Sequence, residues 1–363
     1  MQKEGHIIQA SSFGEGFEFL KRDGINCKKV PEIGVSWKED GSVSPKRTLL
    51  NLPKNIIIFI IHIVMEFISI NRFKPDIIIS DSRLSSIIIS RIMRIKSMTI
   101  LNQIKIKIPN NKNRKLISVI EIIQNRILVF MWSLSEKIII PDLPPPYTIS
   151  KHNMVKEHRI KKKLKYVGLI IRKSIDNDSL ELINEMNIQR EKHTIFFQIS
   201  GPKKSNTEVV KKIKNNLDSI SEEYNIIISE GNIGKDNQPK KTGNIWLFEW
   251  CDISNELMIK SDIIIIRGGH SSISKALNFG KPIISIPINN HTEQINNATS
   301  VEEMGLGIKL NEDDISHESL KNSIEYILKN DKFINKFRNN IEEYLKIHKK
   351  HDPIKLILEE IKN

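Results

Sequence analysis

Two adjacent glycines, Gly268 and Gly269, stand between a run of isoleucines and a serine-led stretch, and they constrain this chain most. Asp262 to Ile266 is short and apolar throughout, as a strand must be when both its faces are buried. The glycines turn the chain tightly and bring backbone close to whatever lies above that strand. From near Ser271, Ile273, Ala276 and Leu277 recur at helical spacing, and Gly280 with Pro282 ends the helix. Ile283 to Ile286 supplies the next strand, which completes a right-handed βαβ unit. A helix that opens with free N–H groups beside two glycines and two serines suits a phosphate. The unit predicts a nucleotide-type site.

The rest of the chain is long enough to build around it, since 363 residues suffice for two α/β domains with separate cores. A net charge of +13 points to an anionic partner: nucleic acid, a membrane surface or a phosphorylated substrate. Aromatic residues make up only 6%, and there is no helix-turn-helix, zinc-finger or stacking motif, so nucleic acid is not expected. Two cysteines, Cys27 and Cys251, imply no disulfide framework and fit a reducing compartment. Met1 to His6 is polar and short, unlike a signal peptide, so a cytoplasmic location is expected.

Read in order, His6 to Ala10 and Ile25 to Val30 are strands around a helix into Leu20. Pro31 to Pro45 is a long loop of acceptor-flap type. Asn55 to Ile70 is the most apolar stretch, but His62 and Glu66 interrupt it, and a bilayer core needs about 20 apolar residues. We therefore expect a buried crossover helix there. Ile77 to Ser80 and Ser97 to Gln103 follow as strands. Residues 104–132 join bases such as Lys105, Lys107 and Lys115 to an apolar end, Ile127 to Trp132. That segment reads either as a core helix behind a solvated basic loop or as a dock on the inner face of an anionic membrane. Residues 1–168 form the expected acceptor-side domain, 169–192 a connector, 193–340 a donor domain with strands at Thr194, Asn225, Ile245 and Asp262, and 341–363 closing helices.

The pattern R-G-G-H-S-S-x-x-K-A-L-x-x-G-K-P from Arg267, followed by H-T-E-Q-x-x-N-A from His291, resembles the donor domain of GT-B nucleotide-sugar glycosyltransferases. It is most similar to family 28, which includes the MurG-type N-acetylglucosamine transferases. The resemblance implies an α/β protein of two Rossmann-like domains, each a parallel sheet flanked by helices. It implies that Arg267, Ser271 and Ser272, with the Gly268–Gly269 turn and His270, hold a donor diphosphate, and that Glu293 and Gln294 meet sugar or ribose hydroxyls. Glu293 and Gln294 also read, blandly, as a first helical turn behind a Thr292 cap. Gly201 and Trp250 would flank the base and phosphates, Lys203 or Lys204 could reach a phosphate, and Arg172 would act at a phosphate or the hinge. Lys275 departs from the pattern. It stands where many relatives carry a ribose-binding glutamate, and a lysine cannot accept hydroxyl protons.

The start departs too. Gln2 to His6 resembles the end of the family's first helix, so the opening strand and glycine-rich loop are expected upstream of Met1. Without that loop, Asp81 and Glu15 are the candidate bases. The implied reaction is an inverting, metal-independent hexosyl transfer, with no cofactor beyond the nucleotide diphosphosugar, to a glycan or lipid-linked hydroxyl. Two other readings fit the same residues: a GT-B epimerase or hydrolase, and a donor-binding subunit completed by a partner.

Overall fold

A computed structural model of the chain describes residues 5–34, 36–38, 42–108, 114–154, 158–171, 177–232 and 238–362. The first half opens with β1 (Ala10–Ser12), α1 (Gly14–Arg22) and β2 (Cys27–Lys29), then α2 (Pro45–Leu50) and α3 (Leu52–Phe73). Strand and helix alternate from there: β3 (Ile77–Asp81), α4 (Leu84–Met93), β4 (Lys96–Ile100), α5 (Arg114–Trp132), β5 (Lys137–Ile140), α6 (His158–Lys161) and β6 (Leu164–Tyr166). Every ladder among them is parallel, as βαβ crossovers require. They form two sheets, β1-β2 and β3-β4-β5-β6. Between the facing strands β1 and β3, Arg83 spans the space with side-chain bonds to the Ser11 hydroxyl (2.7 Å) and carbonyl (2.9 Å). The expected first strand at His6 to Ala10 is shifted, beginning only at Ala10.

The second half holds α7 (Asn177–Glu185), β7 (Thr194–Gln198), α8 (Lys203–Lys214), α9 (Asp218–Glu223), β8 (Asn225–Ser229), β9 (Lys240–Thr242), β10 (Ile245–Phe248) and α10 (Ser254–Lys260). It continues through β11 (Ile263–Ile266), α11 (His270–Asn278), β12 (Ile283–Ser285), α12 (Thr292–Glu303), β13 (Gly307–Lys309) and a 3₁₀ turn at Glu312–Asp314. Helices α13 (His317–Lys329), α14 (Asp331–His348) and α15 (Pro353–Lys362) close the chain. The sheet order is β13-β12-β11-β7-β8-β10-β9, parallel except for the β9 edge. Its central strands are isoleucine and phenylalanine with no exposed surface, as double-sided burial demands. Leu143 and Ile149, from the first half, are part of that core. In return α15 packs Leu356, Ile357 and Ile361 against Met98, Ile139 and Val167 of the first domain. Glu360 adds ion pairs to Lys137 and Lys165.

One expectation is overturned. The apolar stretch at Asn55 to Ile70 is not a buried helix: α3 turns His62, Glu66 and Ile70 inward and leaves Ile57 60%, Ile60 54% and Val64 52% exposed. The inward face is chosen by polar partners. Glu66 accepts from Arg83 (2.6 Å) and from the Ser11 hydroxyl (2.9 Å), and His62 Nε2 lies 2.7 Å from the Pro31 carbonyl oxygen. A buried charge without a partner costs far more than an exposed methyl group, so the ion pair decides the rotation of the helix.

Candidate active site

Strand order reverses between β7 and β11. Chain after β7 runs to β8 and β10 on one side, while β11, β12 and β13 extend the other. In an open α/β sheet such a point leaves a crevice at the carboxyl ends of the strands, where ligands bind. The ladder pairs Ile266 with Gln198, so the loops that follow, Ser200–Gly201 and Gly268–Gly269, lie side by side. The Ser200 and Ser272 hydroxyls approach to 3.4 Å across them. Gly269 caps α11 with no side chain, so the first N–H groups of that helix face the crevice with their partial positive charge. Gly268 has φ +80°, and a Cβ there would stand 3.0 Å from the Gln294 carbonyl oxygen. Gly201 has φ +139°, and a Cβ there would meet Asn206 and Ile288 at 3.4 Å.

Arg267, expected at a diphosphate, has no exposed surface and is already ion-paired. Its side chain is wholly buried beneath the turn, where one terminal nitrogen donates to Glu312 (2.7 Å) and to the Ser205 hydroxyl (3.0 Å). Its Nε and other terminal nitrogen meet no acceptor among the described residues. Burial lowers its pKa, and Glu312 works in the opposite direction. Arg267 braces the turn from below. His270 is buried, with Nε2 3.3 Å from Asp142 Oδ2 at the domain junction. Asp142 further accepts from the Leu143 and Ser150 N–H groups and the Thr148 hydroxyl.

Ser271 remains exposed and Ser272 half-exposed at the crevice rim. Lys275 follows on the same face of α11, where burial depresses its pKa and nearby Glu256 opposes the shift. Trp250 donates from its indole to Asp252 (2.6 Å), and its ring meets Phe19 of α1 at 6.2 Å. Arg172 lies outside the described residues. Glu15 is in the first turn of α1, and its side chain lies outside the described part of the chain.

The cap expected at Thr292 is instead His291, whose Nδ1 accepts from the Gln294 N–H at 3.4 Å. Gln294 spends its side-chain oxygen on the Ile288 N–H (3.0 Å). Glu293 Oε1 accepts from Asn102 of the first domain at 3.0 Å. Burial lowers the His291 pKa, with Glu293 raising it and Arg267 lowering it further.

Asp81 ends β3 and does not cap α4, whose cap position is Arg83. Its register partner is Ile100, two residues before Asn102, which bonds Glu293 of the second domain, so Asp81 stands on the rim next to that junction. Crowding by the protein raises its pKa, while Ser82 and Arg83 pull the other way.

Sequence reasoning missed Asn102, Asn153, Ser205 and Glu312, which belong to no motif. Asn297 is within the H-T-E-Q-x-x-N-A pattern. Its spacing of three from Gln294 and four from Glu293 puts it on their helix face. It donates to the Gly268 carbonyl at 3.2 Å and accepts from Asn153 at 2.7 Å.

Residues 196–356 match the glycosyltransferase family 28 C-terminal domain. The second domain belongs to that family. An uncharacterised glycosyltransferase of Methanosarcina acetivorans is 27% identical over 318 residues, which span 84% of this chain and 77% of the relative. The UDP-N-acetylglucosamine–N-acetylmuramyl-(pentapeptide) pyrophosphoryl-undecaprenol N-acetylglucosamine transferase of Clostridium botulinum is 32% identical over 181 residues, 48% of this chain and 49% of that one. Among solved structures, the calicheamicin glycosyltransferase CalG4 superposes with a TM-score of 0.64 at 12% identity, covering 99% of this chain and 91% of its own. The fold is therefore GT-B, and the protein is a glycosyltransferase.

Proposed function

We propose that this glycosyltransferase moves a hexosyl group, with N-acetylglucosamine the first to test, from a UDP-sugar to the hydroxyl of a lipid-linked acceptor, with inversion and without a metal. The observation that carries the reading is the uncapped N-terminus of α11 meeting the Ser200–Gly201 loop at the switch point. There the departing diphosphate, as its bond to the sugar C1 breaks, gains negative charge beside fixed N–H dipoles. Ser271 and Ser272 supply hydroxyl donors to the same oxygens. Asp81 is the base that takes the acceptor proton as the new C1–O bond forms; its raised pKa brings it nearer the working range of a general base. The donor choice is supported by the activity for which the Clostridium botulinum relative is named.

The lipid-linked acceptor is supported by α3. This helix is long and apolar enough to cross a membrane. Its inward face is tied to Arg83, Ser11 and Pro31, so it lies along the domain surface with Ile56, Ile57, Ile60 and Ile61 outward. Helix α5 exposes Ile122, Ile123 and Ile127, and Ile92 of α4 is exposed as well. Lys54 and Arg72 of α3, Arg91 of α4, Arg94 just after it and Arg126 of α5 are exposed on the same helices. An apolar face with a basic rim is the composition that an anionic bilayer surface attracts.

Calorimetry with UDP and UDP-N-acetylglucosamine, then UDP release measured with and without a polyprenyl-diphosphate-linked sugar acceptor, tests the reading. Binding of both, and EDTA-resistant release that needs the acceptor, are expected. Asp81→Asn should cut kcat by about 10²–10⁴-fold with little change in donor affinity. Failure to bind UDP, or release indifferent to acceptor, would end this reading.

A further inference from the structure

We infer that the acceptor-side domain completes the donor-sugar site, with Asn102 as a positioning residue for Glu293; the inference rests on the donor reading above. Glu293 is a carboxylate in the first turn of α12, on the helix that also carries Gln294 and Asn297. Asn102 Nδ2 donates to its Oε1 at 3.0 Å. That bond fixes the plane of the carboxylate and occupies one oxygen, leaving Oε2 to accept from a ligand hydroxyl.

The contact belongs to a framework. The loop that carries Asn102 is anchored by the Ile104 and Lys105 N–H groups, which both donate to the Asn153 carbonyl (2.9 and 2.8 Å). The Asn153 side chain, with no exposed surface, donates to Asn297 Oδ1 (2.7 Å) and the Glu293 carbonyl (3.3 Å) and accepts from Asn296 (2.8 Å). Asn297 donates in turn to the Gly268 carbonyl. Thr292 closes the far side by donating to the Lys107 carbonyl at 3.2 Å. A chain of carboxamides thus joins the Asn102 loop to the glycine turn of the diphosphate crevice. Every member of it except Glu293 is neutral. The one charge has its orientation set from the opposite domain.

A residue that merely glued the domains together would weaken all ligands alike. An orienting residue for Glu293 acts only when a sugar is present. Titrating UDP and UDP-N-acetylglucosamine into the full chain, Asn102→Ala, Asn102→Asp and Glu293→Gln separates the two. The expected result is wild-type preference for the sugar nucleotide over UDP, with UDP affinity unchanged in all variants. The preference should fall about tenfold or more in each, as loss of a bond to a charged group implies. Asn102→Asp keeps the shape but replaces the donor by a like charge, so it should lose at least as much as Asn102→Ala. Equal loss of both ligands, loss of neither, or a wild-type chain without preference would overturn the inference. Absence of UDP binding in the wild type would instead sink the donor reading beneath it.

Discussion

Arg267 and Glu312 form a buried ion pair 2.7 Å long. Glu312 stands in a 3₁₀ turn beyond β13, and Arg267 follows β11, two strands away in the sheet. The pair ties the far edge of the sheet to the root of the glycine turn. Its charges sit in a low dielectric, where removing either partner strands the other.

Glu312→Leu should therefore destabilise the protein by about 3–5 kcal/mol. The double variant with Arg267→Leu should recover most of that loss. Urea midpoints of the two variants check this, and equal midpoints would refute it.

The two turn glycines should answer differently to a methyl group. Gly268→Ala forces a side chain into the left-handed region and against the Gln294 carbonyl oxygen, a strain of about 1–3 kcal/mol. Gly269 has φ −65° and nothing within 4 Å of the added carbon. Gly269→Ala should leave thermal stability nearly unchanged, while Gly268→Ala should lower both stability and UDP affinity.

Acid should loosen the donor site through His291. Its folded pKa is depressed below the ordinary 6.5 by burial. The unfolded chain then takes up the proton first, so the stability this group contributes is complete above pH 6.5 and falls as pH drops through the folded value. Protonation also turns Nδ1 from acceptor to donor and removes the cap on Gln294. Chemical denaturation across that range should show His291→Gln less pH-sensitive than wild type.

Charge placed on the apolar face should separate membrane binding from catalysis. Ile60→Asp with Ile123→Asp should abolish cosedimentation with phosphatidylglycerol vesicles while leaving UDP affinity intact. Binding of wild type should weaken as salt rises, because the basic rim is screened. Cosedimentation indifferent to both changes would contradict the docking reading.

The second domain is legible in the sequence because its signals are local. Isoleucine runs fix buried strands, Gly268 and Gly269 mark the turn, and Gly280 with Pro282 ends the helix; the observed element ends differ from the expected ones by a residue or two, as frayed termini do. What stays hidden depends on contacts far apart in sequence. That Arg267 pairs with Glu312, forty-five positions on, is invisible in the motif. The orientation of α3 follows from Glu66 meeting Arg83 and Ser11, which periodicity alone cannot foresee. Asn102 acquires meaning only when the two domains are put together.

The break between β1-β2 and the four-stranded sheet sets a limit on cooperativity. No ladder joins β1 to β3 among the described residues; Arg83 bridges the two pieces with bonds to Ser11 and Glu66. Two-stranded sheets have little stability of their own. The Ala10 and Val30 amides, bonded to the Asn26 and Ser12 carbonyls, should therefore open and exchange with deuterium in a sub-global event. The amides of β4 and β5 should wait for the whole domain to unfold. The first domain would then have a seam, with its most easily parted edge beside the rim where Asp81 stands.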